Sequence, residues 1–185
     1  AMLLWNQAPF LSMQLLWINL VTDSLPAIAL GMEAIDPNVM DRQPKPKKEG
    51  IFANGLGIQV VLQGVMFAIL SLIGFRVGSQ VTGAIEGGRT MAFLVLAFAQ
   101  ILHAYNMRSH KSLFKTGLFT NKYLNLASLV STALMCLVLF VPPIASVFGL
   151  IRLPMKLYML GFGLAVVPVV VLEIVKAFGL VKHHK

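Results

Sequence analysis

Gln14-Leu15-Leu16-Trp17-Ile18-Asn19-Leu20-Val21-Thr22-Asp23-Ser24-Leu25-Pro26-Ala27-Ile28-Ala29-Leu30-Gly31 is apolar enough to span a bilayer, yet carries an amide, a hydroxyl and a carboxylate at its centre. At ~1.5 Å of rise per residue, a span from Leu11 to Gly31 covers a hydrocarbon core of ~30 Å and places Asn19, Thr22 and Asp23 near its midplane. Insertion scales charge ~2.5–3.5 kcal/mol for a carboxylate there, so it calls for a reason. Spacing supplies one, because positions i, i+3 and i+4 of a helix project from one face and bring three oxygen-bearing side chains together. Pro26 adds a fourth oxygen: it has no N–H for the carbonyl four residues back, that of Thr22, and its ring pushes that carbonyl aside. Carboxylate, amide, hydroxyl and carbonyl oxygens suit Ca²⁺ or another hard cation better than a soft metal. Polar residues also join membrane helices by hydrogen bonds. A carboxylate on the same face and beside a proline favours an ion pathway, since broken helices that coordinate an ion at mid-membrane recur in transporters.

The composition agrees with a membrane setting. The 185 residues are 57% hydrophobic and 12% charged, with a mean hydropathy of +0.80, which lies outside the range of soluble globular domains. A net charge of +8 could suggest nucleic acid, but the bases fall in short clusters between apolar runs and read as topology signals instead. The single cysteine, Cys136, lies in an apolar run and is expected to be a buried, inert thiol.

The hydrophobic pattern predicts an all-α polytopic transmembrane bundle: five complete spans at about residues 11–31, 51–77, 90–107, 123–141 and 155–180, after a helix stub over Ala1–Trp5. Gly78 to Gly88 reads as a short Gly-rich loop, and Pro142-Pro143 ends the fourth span. Gln59 and Gln63 read as packing residues on the second span, with Arg76 snorkelling at its end. His103 reads as a packing residue, Glu173 and Lys176 as an interfacial ion pair, and Ser128, Ser131 and Thr132 as serving their own backbone. The loops 32–50 and 108–122 carry four bases each and the end from Lys176 three, against four on the opposite side. The positive-inside rule therefore puts both loops and the C-terminus in the cytoplasm.

The string Asn19-Leu20-Val21-Thr22-Asp23-Ser24-Leu25-Pro26-Ala27, preceded by Gln14-Leu15-Leu16-Trp17 and followed by Ala29-Leu30-Gly31, resembles the sixth transmembrane helix of type II P-type ATPases, specifically the calcium pumps. The resemblance implies that the chain is the C-terminal transport region of a longer pump, running from the sixth to the tenth helix, with Ala1–Trp5 the end of the fifth. It implies cation-ligand roles for Asn19, Thr22 and Asp23. Gln100 falls where the family's eighth helix holds a ligand position, Glu in the endomembrane pumps and Gln in several relatives. The transported ion would be Ca²⁺. ATP and Mg²⁺ would act only through domains absent from this chain, which holds neither the Asp-Lys-Thr-Gly-Thr phosphorylation motif nor a Gly-rich phosphate loop and is expected to be inactive alone. The implied partners are the lipid bilayer, the remaining pump helices and the cytoplasmic domains, with no nucleic acid. The loop 32–50 would face the phosphorylated domain. The residues taken without the resemblance leave open a secondary cation transporter or a membrane scaffold; no inverted repeat supports the former.

Overall fold

The computed structural model describes residues 5–33, 56–108, 117 and 120–177. Most of the two basic loops, the first residues of the stub and the C-terminal tail lie outside the described residues. The architecture is all-helical, with five segments long and apolar enough to cross a membrane. The first comprises α1 (Ser12–Ile18), a wide π-helical turn (Asn19–Ser24) and α2 (Leu25–Gly31). The others are α3 (Leu56–Thr82), α4 (Ile85–Met107), α5 (Lys122–Phe140) and α7 (Met155–Ala177), with the short α6 (Pro142–Val147) between the last two.

α4 is the pillar of the bundle. Met91, Ala92, Phe93, Leu94 and Val95 are consecutive and all fully buried, which on a helix means that every side of it is covered. It packs on α3, α5, α7 and the wide turn. Lipid tails are as apolar as leucine, so the hydrophobic effect cannot join these helices; close van der Waals contact between small residues must. Accordingly, a Cβ on Gly78 of α3 would lie 2.5 Å from the Gly87 carbonyl oxygen of α4, and one on Gly161 of α7 would lie 2.5 Å from Leu94.

Gly78, Gly87 and Gly88 are therefore packing residues inside two helices, and of the expected Gly-rich loop only Gly83 lies between them. α3 runs past Val77 to Thr82, and the link to α4 is only Gly83 and Ala84. Gly83 has φ +69°, a left-handed conformation that a Cβ would oppose. The Thr82 hydroxyl accepts the Ala84 N–H at 3.3 Å and donates to the Gly78 carbonyl at 2.7 Å, closing the turn. Arg76 is not simply snorkelled: its guanidinium lies 5.5 Å over the Trp5 ring, which also stacks on Phe75.

Pro142 and Pro143 end one helix and start another. Val141 is extended, and the two prolines occupy the first turn of α6, where a missing N–H costs nothing. At the other end of α5 the Asn121 side chain caps the helix by accepting the Leu124 N–H at 2.9 Å.

Candidate ion site in the first span

The Asn19–Ser24 turn runs in an i→i+5 register, and the Ser24 hydroxyl donates to the Asn19 carbonyl, five residues back, at 3.0 Å. The register ends at Ser24, and from Leu25 the chain is α-helical again, with Pro26 in its first turn. Pro26 has no N–H to give to a carbonyl of the preceding turn. The Val21 carbonyl accepts a hydrogen bond at 2.7 Å from Ser131 of α5, with both residues buried. Ser131 thus serves the first span and not its own backbone. Ser128, one turn away and also buried, has no hydrogen-bond partner among the described residues.

The wide turn also sorts the four candidate ligands. It advances fewer degrees per residue than an α-helix, so Asn19 and Asp23 come near to eclipsing while Thr22 falls to one side. Asn19 and Asp23 are exposed on one flank, and neither side chain has a partner among the described residues. Thr22 is buried against α4, its hydroxyl 2.8 Å from the Ile18 carbonyl and 2.9 Å from Gln100 Oε1. A hydroxyl has one proton, which serves one of these acceptors at a time. Thr22 and Gln100 are brought into contact, and Asn19 and Asp23 stand together beside them. A carboxylate and an amide on an open flank, next to a hydroxyl and a second amide, offer oxygen donors to a hard cation.

Both ends of this span are held. Gln14, fully buried, accepts the Leu11 N–H at 3.0 Å and donates to the Phe148 carbonyl at 2.8 Å, which ties the start of α1 to the turn after α6. After α2, Glu33 receives two bonds from Arg108, at 3.0 and 2.8 Å, and another from Asn121. The Arg108 guanidinium, helped by the Asn121 amide, holds the Glu33 carboxyl below its ordinary range against the opposing effect of partial burial. Asn121 also donates to the Ala29 carbonyl at 3.2 Å, so one side chain caps α5 and fastens the end of α2 to it.

His103 sits edge-on to Phe67 with ring centroids 5.2 Å apart, in keeping with a packing role. Glu173 and Lys176 are paired at 3.6 Å, and Lys176 also donates to the Asn106 carbonyl at 2.9 Å. Sequence reasoning missed Gln14 and Ser131.

With this geometry in place, comparison with known proteins is direct. Residues 7–178 match the family model described as "Cation transporting ATPase, C-terminus". A calcium-transporting ATPase of Bacillus cereus is 36% identical over 193 residues, covering 95% of this chain and 22% of the relative. One from Bacillus subtilis is 38% identical over 169 residues, covering 91% of this chain and 19% of the relative. The calcium-transporting ATPase type 2C member 1 of Pongo abelii is 30% identical over 169 residues, covering 91% and 18%. The chain spans about a fifth of the length of these relatives. It is a membrane cation-transport domain and belongs to the family of cation-transporting ATPase C-terminal regions.

Proposed function

We propose that this chain is the C-terminal transport region of an ATP-driven calcium pump, and that Ca²⁺ crosses the membrane by binding at the wide turn of the first span. The observation that carries this reading is the pairing of Asn19 and Asp23 on one open flank, beside the buried Thr22–Gln100 contact. Asp23 supplies the negative charge, Asn19 and Thr22 supply neutral oxygens, and Gln100 borders the site from α4. Further ligands come from helices upstream of Ala1, which cover the flank that Asn19 and Asp23 leave open. ATP and Mg²⁺ act on cytoplasmic domains outside this chain, and the basic segments around Lys122 and Arg108 lie on that same side.

Inside-out vesicles carrying the full-length protein test both parts of the reading. ATP added outside should drive Ca²⁺ uptake against its gradient. In a Cys136→Ala background, a membrane-impermeant maleimide should label Lys122→Cys and spare Ala84→Cys. Accumulation that ignores ATP and follows another ion's gradient would make the protein a secondary transporter. Equal labelling of the two cysteines would overturn the topology.

A further inference from the structure

We propose that the apolar groove between α3 and the approach to the first span is the seat of the membrane helix immediately upstream of Ala1, which packs there against Gly64 and Ala68. The inference rests on the reading of the chain as one part of a longer pump and adds to it the place where the preceding part docks.

The groove, of about 360 Å³, is walled by Gly64, Phe67, Ala68 and Leu72 of α3, Leu96 of α4, and Phe10. Lipid tails cover such an apolar wall as readily as protein does, so shape must decide between them. Gly64 and Ala68 stand one turn apart and leave the backbone of α3 bare along this face, the arrangement by which membrane helices approach closely. Gly64 has no such use among the described residues. A Cβ on Gly74 or Gly78 would crowd α4, whereas one on Gly64 meets nothing within 4 Å, although glycine weakens a helix relative to alanine.

The path of the chain says which helix fits. Trp5 is helical; its ring stacks on Phe75 of α3 at 6.1 Å, under the Arg76 guanidinium, and the Ala8 carbonyl accepts the Arg89 Nε–H at 3.1 Å. The approach to the first span is thus fixed against α3 and α4, and Phe10 carries it into the groove wall. The match to a C-terminal family model, with only 22% of the Bacillus cereus relative covered, leaves most of the longer protein upstream. A span that ends at Trp5 crosses the membrane in the same direction as α3, since one span separates them. Running beside α3, it passes Gly64, which lies 11 residues, or about 16 Å, before Phe75. Leu96 is one turn before Gln100 on α4, so a helix in this groove also passes the Thr22–Gln100 contact.

The test uses the full-length protein in membranes, in a Cys136→Ala background. Gly64→Cys is combined with single cysteines placed along the span upstream of Ala1, and each pair is treated with a short thiol cross-linker; Trp5→Cys with Phe75→Cys is the positive control. Cross-links within one chain should recur with helical period and peak about eleven residues before Trp5. Gly64→Leu should lower the unfolding temperature, and Gly163→Leu, at a glycine whose Cβ likewise meets nothing within 4 Å, should leave it unchanged. No cross-link anywhere in the scan, with the control pair joined, overturns the proposal and gives the groove to lipid. Cross-links only between two chains give it to a second copy and overturn the proposal as well. So does equal tolerance of leucine at Gly64 and Gly163. The calcium reading fails separately: normal Ca²⁺ binding by Asp23→Asn would discard the ion site and leave the cross-linking pattern untouched.

Discussion

Asp23→Asn in the full-length protein is expected to weaken Ca²⁺ binding at least about hundredfold while leaving the fold intact. A desolvated divalent cation needs negative ligand charge, and Asp23 is the carboxylate at the wide turn. The amide keeps the shape of the side chain. Because Asp23 is exposed and has no hydrogen-bond partner among the described residues, the substitution strands no buried group there and should leave the unfolding temperature within a few degrees of wild type. Equilibrium binding on wild-type protein should also saturate at one Ca²⁺ per chain. Gln100, bonded to Thr22, would border the proposed site with a neutral amide, and two closely spaced divalent ions repel strongly where water is excluded. A saturating stoichiometry of two would refute the single-ion proposal, and undiminished affinity in the asparagine variant would return Asp23 to the helix-packing class.

The second large effect is expected at Gly78. Replacing glycine by alanine in a helix interior ordinarily gains up to ~1 kcal/mol from backbone propensity. At Gly78 the new methyl would lie 2.5 Å from the Gly87 carbonyl and 2.8 Å from the Met91 side chain. A backbone carbonyl inside a helix cannot step aside, so α3 and α4 must separate, and overpacking of this kind costs ~1–3 kcal/mol. Gly78→Ala should therefore destabilise the protein despite the gain in propensity, and Gly78→Leu should do so more severely. Gly163 on α7 is the control, since a Cβ there meets nothing within 4 Å and Gly163→Ala should be neutral or mildly stabilising. Thermal unfolding of the three variants in one detergent decides it: Gly78→Ala as stable as Gly163→Ala would show that the helices do not depend on this contact.

The first span was the most legible part of the sequence because two signals coincided there, a hydrophobic length that fits a bilayer and polar residues that such a length ordinarily excludes. The count from Pro26 assumed α-helical spacing throughout, whereas Asn19–Ser24 runs i→i+5 and its Val21 carbonyl meets a hydroxyl of α5, a contact 110 residues apart in the chain that local spacing does not show. The segment from Gly78 to Gly88 misled for a different reason. In water a run of glycines marks a turn, whereas between membrane helices the same residues allow backbones to touch. The central place of α4 was illegible as well: it is less apolar than α3, α5 and α7, and carries Thr90, Gln100 and Asn106 because its neighbours, not lipid, surround it.

The two-residue link at Gly83 and Ala84 also bears on biosynthesis. A helix as polar as α4 is a poor candidate to partition alone from the translocation machinery into hydrocarbon, whereas α3 is among the most apolar segments of the chain. So short a connection would deliver both at once as a hairpin, so that α4 would leave the machinery with one side already covered by α3. Replacing Gly83 and Ala84 by a long Gly/Ser loop would uncouple the pair. A glycosylation reporter fused after Met107 should then show a fraction of chains in which α4 has failed to integrate; complete integration despite the loop would mean that α4 enters on its own.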